Sequence, residues 1–235
     1  MRPTSDQIKA YYDTGGYIAG NPIIPLRARL LSEMLREARD SHILDLGCGD
    51  GAVTRSLLRD GNRLTLVDFS RAMLDRAQAR FPRDAPVEFV EVDILSYYPP
   101  EPVDVVVCIG VLAHVPSPEA LMAHIAGLMR PNGICVLEIM DRSSPMGWLL
   151  TQYGRWRHHE GWEKNRLSRT ELVELAKAHN LAELPTTLRR YGLLIPGSGW
   201  LPYQIVSRIE EAAATQPHLA RITAEILVGF RLLPQ

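Results

Sequence analysis

The stretch Ile43–Gly51 has the sequence ILDLGCGDG and decides the fold class. It places three glycines directly after a short apolar run, with Asp45 inside the run and Asp50 among the glycines. Glycines leave no side chain in the way, so a ligand can lie against the backbone and the N-terminal end of a following helix. A segment of helical spacing, Val53–Arg59, comes next. The stretch therefore predicts a strand, a ligand-binding loop and a helix, in that order.

In the sequence that contains and follows this stretch, continuous apolar runs alternate with segments of helical spacing. The predicted strands are His42–Leu46, Arg63–Asp68, Val87–Val92, Val103–Ile109 and Ile134–Met140, and the predicted helices between them are Val53–Arg59, Arg71–Phe81 and Glu119–Met129. Continuous rather than alternating apolar runs are typical of strands covered on both faces. Strand–helix alternation at this spacing indicates right-handed crossovers. The fold class is therefore predicted as α/β, with a doubly wound, mostly parallel sheet and helices on both faces.

The flanking segments extend this core at both ends. Residues 1–39 are predicted as an N-terminal helical flap, with a polar, tyrosine-bearing stretch at Asp6–Tyr17 and an amphipathic helix at Leu26–Ala38. After the core 40–140, residues 141–235 are predicted to hold a helix, two more strands and an insertion. These are the helix Ser168–His179, capped by Ser168 or Thr170 with Glu171 in its first turn, the strands Leu184–Tyr191 and Ile226–Leu233, and the insertion 192–219 with a helix at Tyr203–Ala214. The prediction is one domain, 1–235, with a seven-stranded sheet.

Composition narrows the function classes. The 235 residues carry 26 Lys+Arg against 27 Asp+Glu, a formal charge of −1, which argues against a nucleic-acid partner. The three cysteines, Cys48, Cys108 and Cys135, lie in separate apolar runs and are predicted to be buried free thiols. No metal-binding spacing, secretion signal or long apolar segment occurs in the sequence, so we expect no metal, no membrane span and a cytoplasmic location.

Acidic residues follow the predicted strands. Asp45 precedes the glycines, Asp68 closes the second strand 17 positions after Gly51, and Asp93 closes the third strand. Each of them alone equally fits a turn or a helix cap. The G-x-G-x-G spacing differs from the dinucleotide pattern G-x-G-x-x-G, and carboxylates beside the glycines would repel a pyrophosphate. A cationic ligand with a ribose diol, which Asp68 is placed to bind, suits the pattern better.

Together these residues resemble the class I S-adenosylmethionine-dependent methyltransferases over residues 40–140. ILDLGCGDG looks like the first motif of that family, LTLVDFSRAMLDRA like its second strand and helix, VEFVEVDI like its third strand, and VDVVVCIGVLAHVPSPEALMAHIAGLMRPNGICVLEI like its fourth and fifth strands. The resemblance implies a Rossmann-like fold and S-adenosyl-L-methionine as cofactor. It implies that the cofactor contacts Asp45, Gly47, Cys48, Gly49, Asp68, Phe69, Asp93, Ile94 and Ile109, with the segment Ile109–His114 under the methyl group.

Four residues are candidates for catalysis. His114 follows the fourth strand and is either a general base or a structural residue before Pro116. Asp141 ends the fifth strand and either orients the acceptor or caps a turn. His158 and His159 lie in a segment where the family usually builds its acceptor pocket, among aromatic residues and a basic run over 155–169. That segment predicts an aromatic or anionic acceptor, or simply a packed lid with a solvated face.

The resulting functional prediction is methyl transfer from S-adenosylmethionine to an oxygen or nitrogen of a small molecule. The sequence after the fourth strand, IGVLAH, lacks the N-P-P-[YF] pattern of enzymes that methylate the amino groups of bases or of glutamine. A nicotinamide-dependent dehydrogenase is disfavoured by the glycine spacing. A non-catalytic S-adenosylmethionine-binding or assembly protein and a C-methyltransferase stay open as alternatives, as does a homodimer formed through the insertion 192–219.

Overall fold

The computed structural model describes residues 21–157, 164–193 and 201–234, together with Lys9 and Asp13; for 154–157 it describes the backbone alone. Most of the predicted flap Asp6–Tyr17 and the residues His158 and His159 therefore lie outside the described residues. The described part of the insertion 192–219 begins again at Leu201.

Five parallel strands form the centre of the sheet, as the apolar runs predict. They are β1 (His42–Leu46), β2 (Arg63–Asp68), β3 (Val87–Glu91), β4 (Val103–Cys108) and β5 (Met129–Met140). In space they stand in the order β3-β2-β1-β4-β5. All five residues of β1 are buried, as expected for a strand covered on both faces. Three of them are apolar, and the other two, His42 and Asp45, are polar.

The helices pack on both faces of this sheet. They are α1 (Ile23–Met34), α2 (Arg71–Gln78), α3 (Pro118–Leu128), α4 (Pro145–Arg157), α5 (Arg169–Lys177), α6 (Tyr203–Thr215) and α7 (Pro217–Ala220). One buried apolar cluster joins Leu121 of α3 and Leu172 of α5 to the sheet, and a second joins Leu31 of α1 and Leu74 of α2 to it. Because neighbouring residues of β1 enter different clusters, the two clusters lie on opposite faces. The doubly wound α/β prediction is confirmed.

Serine side chains begin three of the helices. Ser70 accepts a hydrogen bond from the backbone of Met73 at the start of α2, and Ser117 caps α3 in the same way. At α5, Ser168 and Glu171 form a reciprocal capping box, so Ser168 rather than Thr170 is the cap. These local hydrogen bonds satisfy backbone N–H groups that a helix start leaves unpaired.

The C-terminal edge of the sheet differs from the prediction. The predicted strand Leu184–Tyr191 is replaced by β6 (Leu181–Glu183) and β7 (Arg189–Tyr191), both antiparallel to β8 (Glu225–Leu232), which itself pairs antiparallel with β5. Between them lies a 3-10 turn at Pro185–Thr187. Proline has no N–H to donate to a ladder, and Thr187 turns its backbone N–H and its hydroxyl onto the carbonyl of Leu184. The described sheet therefore has eight strands rather than seven.

The helix predicted over Val53–Arg59 is wrong as well. Only a 3-10 helix of three residues, Arg55–Leu57, follows the glycine loop. The Thr54 hydroxyl donates to Asp45 Oδ2 at 2.7 Å, which ties the start of this segment to β1. The β-branched Val53 and Thr54 also disfavour a regular helix start. The glycine loop is consequently followed by turns and a short 3-10 helix rather than by a long helix.

Candidate active site

A cavity of about 470 Å³ opens at the carboxyl ends of β1, β2, β4 and β5. Its volume lies within the range of roughly 300–1,000 Å³ typical of small-molecule sites. The chain reverses its winding direction between β1 and β4, and open α/β sheets bind ligands at such a point. Within the described part of the chain, no helix is long and apolar enough to cross a membrane.

The glycine loop forms one wall of the cavity with backbone alone. Gly47 has φ +76° and Gly49 has φ +55°, conformations that favour glycine. The N–H groups of Gly47 and Cys48 both donate to the carbonyl of Val67, at 2.8 and 3.0 Å, so the loop is fixed to the end of β2. A side chain on Gly47 would collide with Val111. The loop is thus held by backbone hydrogen bonds and closely packed against Val111, and its glycines Gly47 and Gly49 line the cavity.

Asp68 joins the end of β2 to this loop. Its Oδ2 accepts from the N–H of Gly49 and its Oδ1 from the N–H of Ser70, both at 2.9 Å. Burial raises the pKa of Asp68, and these two backbone hydrogen bonds oppose that rise. The carboxylate lines the cavity in a fixed orientation, where each oxygen has a further lone pair for a hydroxyl group.

Asp45 provides the second acidic group of this wall. It is 4% exposed, and burial raises its pKa from 3.8 to about 7, while the hydrogen bond from Thr54 lowers it and the nearby Asp68 raises it further. A carboxyl group with such a pKa gains stability when a cation lies beside it. The site therefore favours a ligand that brings positive charge.

The other predicted cofactor residues lie in the same cavity. Asp93 caps a 3-10 turn, Ile94–Ser96, by accepting from the N–H of Leu95 at 2.9 Å. The residues that the sequence assigns to the cofactor and that line the cavity are Asp45, Gly47, Cys48, Gly49, Asp68, Phe69, Asp93, Ile94 and Ile109. The structure thus brings all of them together, although they come from four different strand ends.

The candidate catalytic residues separate into three cases. His114 lines the cavity, and its backbone N–H donates to the carbonyl of Val111 at 2.8 Å. Asp141 is not among the residues that line the described cavity. Its Oδ1 accepts from the backbone and hydroxyl of Ser143, and its Oδ2 lies 3.4 Å from Arg190. These contacts support the turn-cap interpretation of Asp141. His158 and His159 lie outside the described residues.

The segment 164–166 closes one side of the cavity. Lys164, Asn165 and Arg166 all line it, and Asn165 Nδ2 donates to the carbonyls of Leu112 and Val115 at 3.1 and 2.6 Å. Part of the basic run 155–169 therefore faces the cavity. This placement agrees with the interpretation that the run binds an anionic acceptor. In contrast, Trp148 of α4 is 59% exposed and does not contribute to an aromatic wall.

The sequence did not single out an ionic network at the far end of the cavity. Arg27 of α1 lies 2.7 Å from Glu138 Oε1 and 3.0 Å from Glu225 Oε2, and Tyr191 of β7 donates its hydroxyl to Glu138. Arg27, Glu138 and Glu225 line the cavity. One signal was available: Glu138 is the only charged residue of the apolar run Ile134–Met140. A carboxylate in a strand covered on both faces needs a buried partner.

A doubly wound sheet with a glycine loop and carboxylates at the ends of its first three strands is the arrangement that the resemblance to class I S-adenosylmethionine-dependent methyltransferases predicts. The family comparison agrees, because residues 44–137 match the family model described as "Methyltransferase domain". This part of the chain is such a domain, and S-adenosylmethionine is the cofactor of that family.

The curated relatives align with about half of this chain. The chain is 37% identical over 120 residues to a trans-aconitate 2-methyltransferase from Enterobacter sp. (strain 638), an alignment that covers 49% of this chain and 46% of that protein. Across the first curated relatives it matches, the chain spans about half of their length.

Solved structures share the fold over nearly the whole chain. A methyltransferase of Haloferax volcanii, solved in complex with the Trm112 activator, has a TM-score of 0.69 at 18% identity, covering 95% of this chain and 98% of that one. The N-methyltransferase NodS from Bradyrhizobium japonicum WM9, solved with S-adenosylhomocysteine, has a TM-score of 0.60 at 19% identity, covering 90% and 87%. At this identity the likeness shows the fold alone.

Proposed function

We propose that the protein transfers a methyl group from S-adenosylmethionine to an oxygen or nitrogen of a small-molecule acceptor. One observation carries the proposal: a single cavity is lined both by the carboxylates Asp45, Asp68 and Asp93 at the ends of β1 to β3, here called the first wall, and by Arg27 of α1 and Glu138 of β5, here called the second wall. The first wall suits a cationic nucleoside, and the second provides polar groups for another molecule.

The first wall fits the cofactor group by group. Asp68 would accept from the ribose hydroxyls, and Asp45 lies where a carboxylate would stabilise the positive charge of the methionine portion. Asp93 and the backbone of Ile94 would contact the adenine edge, with Phe69 against its ring. The backbone of Gly47 and Gly49 offers the close approach that this arrangement requires. When bound, S-adenosylmethionine supplies a methyl group that its sulfonium already activates.

The work left for the protein is alignment and the exclusion of water. The segment Ile109–His114 follows β4 between the two walls and would lie next to the methyl group. Its Gly110 has φ +75° and presents only backbone there. His114 lines the same cavity and would contact the cofactor or the acceptor. Lys164 and Arg166 add positive charge, which supports an acceptor that is anionic or becomes so during the reaction.

The comparisons support a small-molecule acceptor. The Enterobacter relative is named for trans-aconitate, which is a small molecule. The formal charge of −1 argues against nucleic acid. Cys48, Cys108 and Cys135 are all free, which supports a reducing compartment such as the cytoplasm.

A methyl-transfer assay tests the proposal. Purified protein would be incubated with S-adenosylmethionine labelled in its methyl group and with a panel of phenols, carboxylic acids and amines, and the labelled products counted. We expect transfer to at least one class and loss of transfer in Asp68→Ala. The control is Asp75→Ala, which removes an exposed carboxylate of α2. Tight binding of S-adenosylhomocysteine without transfer to any member of the panel would contradict the proposal.

A further inference from the structure

The second wall of the cavity contains a network of four buried or partly buried side chains that the proposed cofactor contacts do not use. Arg27 of α1 lies between Glu138 of β5 and Glu225 of β8, and its Nε also donates to the Tyr191 hydroxyl at 3.1 Å. Tyr191 in turn donates to Glu138, which is 4% exposed. The four residues come from four elements, yet three of them reach the same cavity.

Within this network, Glu138 lies beside the segment Ile109–His114, which would lie next to the methyl group of the cofactor. Its neighbour Leu137 pairs with Cys108, the last residue of β4, so Glu138 lies level with the loop that follows β4. Gly110 occupies that loop, and a Cβ built on Gly110 would lie 3.7 Å from Glu138 Oε2. Both contacts from Arg27 and Tyr191 fall on the other oxygen, Oε1. Oε2 therefore lies beside Gly110, which has no side chain to cover it.

The charges around Glu138 leave the network with one excess negative charge when both carboxylates are ionised. The groups that face it are Arg27, Tyr191 and Glu225, with Cys108 of β4 nearby. Burial raises the pKa of Glu138 to about 7, Arg27 lowers it, and Glu225 raises it. A carboxyl group that takes up a proton near neutral pH suits general base catalysis.

On the basis of the proposed function, we propose that Glu138 accepts the proton of the methyl acceptor, and that the acceptor is a phenol-type hydroxyl compound. As the oxygen of the acceptor forms its bond to the methyl carbon, its O–H bond breaks and the proton passes to Glu138 Oε2. The sulfur keeps the electron pair of the broken carbon–sulfur bond, so charge and atoms balance. A carboxylic acid is already ionised at neutral pH and needs no base.

In this proposal, Arg27 and Tyr191 are positioning residues. They hold Oε1 of Glu138 and leave Oε2 toward the cavity. A purely structural network would instead only tie α1 to β7 and β8. The two roles predict different results, because a structural tie affects folding and ligand affinity, whereas a proton acceptor affects kcat and its pH dependence.

The test compares Glu138→Gln with the wild-type protein in the methyl-transfer assay, with phenol and substituted phenols as acceptors. Since general base catalysis contributes roughly 10²- to 10⁴-fold, we expect Glu138→Gln to lower kcat at least about 100-fold. KM for the phenol and affinity for S-adenosylhomocysteine should change less than about threefold. Wild-type kcat should rise with pH through an apparent pKa near 7. In Glu138→Gln, this rise of kcat with pH should be absent.

Two further variants keep the test decisive. Glu183→Gln makes the same substitution in a carboxylate that pairs with Arg169 away from the cavity, at 2.6 Å, and should leave kcat unchanged. Glu138→Asp keeps a carboxyl group, so its kcat should be lower but should still rise with pH. It replaces Glu138→Gln as the diagnostic variant if the glutamine protein does not fold.

The outcomes separate this inference from the proposed function. Transfer to carboxylic acids or amines alone, or transfer to phenols that Glu138→Gln leaves intact, would overturn the role of Glu138 while methyl transfer itself stands. No transfer to any member of the panel would overturn both. Transfer to phenols that is lost in Glu138→Gln, with S-adenosylhomocysteine binding retained, would support both.

Discussion

The backbone N–H of Gly49 donates a 2.9 Å hydrogen bond to Oδ2 of Asp68 and so joins the loop after β1 to the end of β2. The same carboxylate accepts from the N–H of Ser70 through Oδ1. The residue that would hold the ribose therefore also helps to fix the glycine loop, together with the carbonyl of Val67.

Removal of this carboxylate should weaken cofactor binding. We expect Asp68→Ala to cost about 1.5–3 kcal/mol in affinity for S-adenosylhomocysteine, the range for hydrogen bonds to a charged group. Asp68→Asn should fall in the same range, because an amide NH2 group would face a backbone N–H of Gly49 or Ser70. Isothermal titration calorimetry measures both. Asp75→Asn on the exposed side of α2 is the control. Unchanged affinity in Asp68→Ala would show that the ribose is held elsewhere.

A side chain at Gly47 should destabilise the protein. The residue has φ +76°, and a Cβ there would collide with Val111. We expect Gly47→Ala to lower the free energy of unfolding by at least about 1–2 kcal/mol, the cost of a left-handed conformation, plus the cost of the collision. Urea unfolding provides the measurement.

Gly127 supplies the matched control for that substitution. It lies in α3, and a Cβ on it meets nothing within 4 Å. Gly127→Ala should therefore stabilise the protein, by about 0.5–1 kcal/mol. Equal effects of the two substitutions would contradict the account of the loop.

The stability of the unliganded protein should depend on pH through Asp45. Its pKa is raised by burial from 3.8 to about 7, so the folded state binds the proton more tightly than the unfolded state does. The stability that Asp45 contributes is present below pH 3.8 and is lost as pH rises through about 7. At 1.36 kcal/mol per pKa unit, the loss is at most about 4 kcal/mol.

Unfolding free energies at pH 5 and pH 8 measure this effect. Asp45→Asn cannot ionise, so the loss of stability between the two pH values should be smaller in the variant than in the wild type. Because the other titrating groups are common to both proteins, the difference isolates Asp45. An identical pH dependence in the two proteins would show that Asp45 is ionised throughout.

Asp141 should matter for folding and not for methyl transfer. Its carboxylate is buried and caps the turn after β5, with contacts to Ser143, Arg169 and Arg190. We expect Asp141→Ala to lower the unfolding free energy by about 1–3 kcal/mol, the cost of leaving buried donors unpaired, while kcat changes less than about threefold. A large loss of kcat in a stably folded variant would restore the catalytic interpretation.

The cofactor wall was predictable because its signals are local. Each carboxylate stands at the end of an apolar run, and parallel strands bring such ends to one edge. The predicted helix Val53–Arg59 failed because a tertiary contact, from Thr54 to Asp45, takes part in setting the local conformation. The predicted strand Leu184–Tyr191 is interrupted because Pro185 cannot donate a ladder hydrogen bond and begins a 3-10 turn.

The network around Glu138 was beyond sequence reasoning for a different reason. Arg27 and Glu225 are 198 positions apart, and Tyr191 lies 53 positions from Glu138. No spacing or periodicity links residues of four separate elements. The run of apolar residues around Glu138 signals that a partner must exist, but only the packing of α1, β7 and β8 identifies it.

A crystal structure of the protein with S-adenosylhomocysteine tests the two-wall account most directly. We predict that the ribose hydroxyls contact Asp68, that the adenine lies against Phe69 and Ile94, and that the sulfur faces the segment Ile109–His114 with Glu138 Oε2 across the open space beyond it. A ligand bound outside this cavity, or a sulfur directed away from Glu138, would contradict the account.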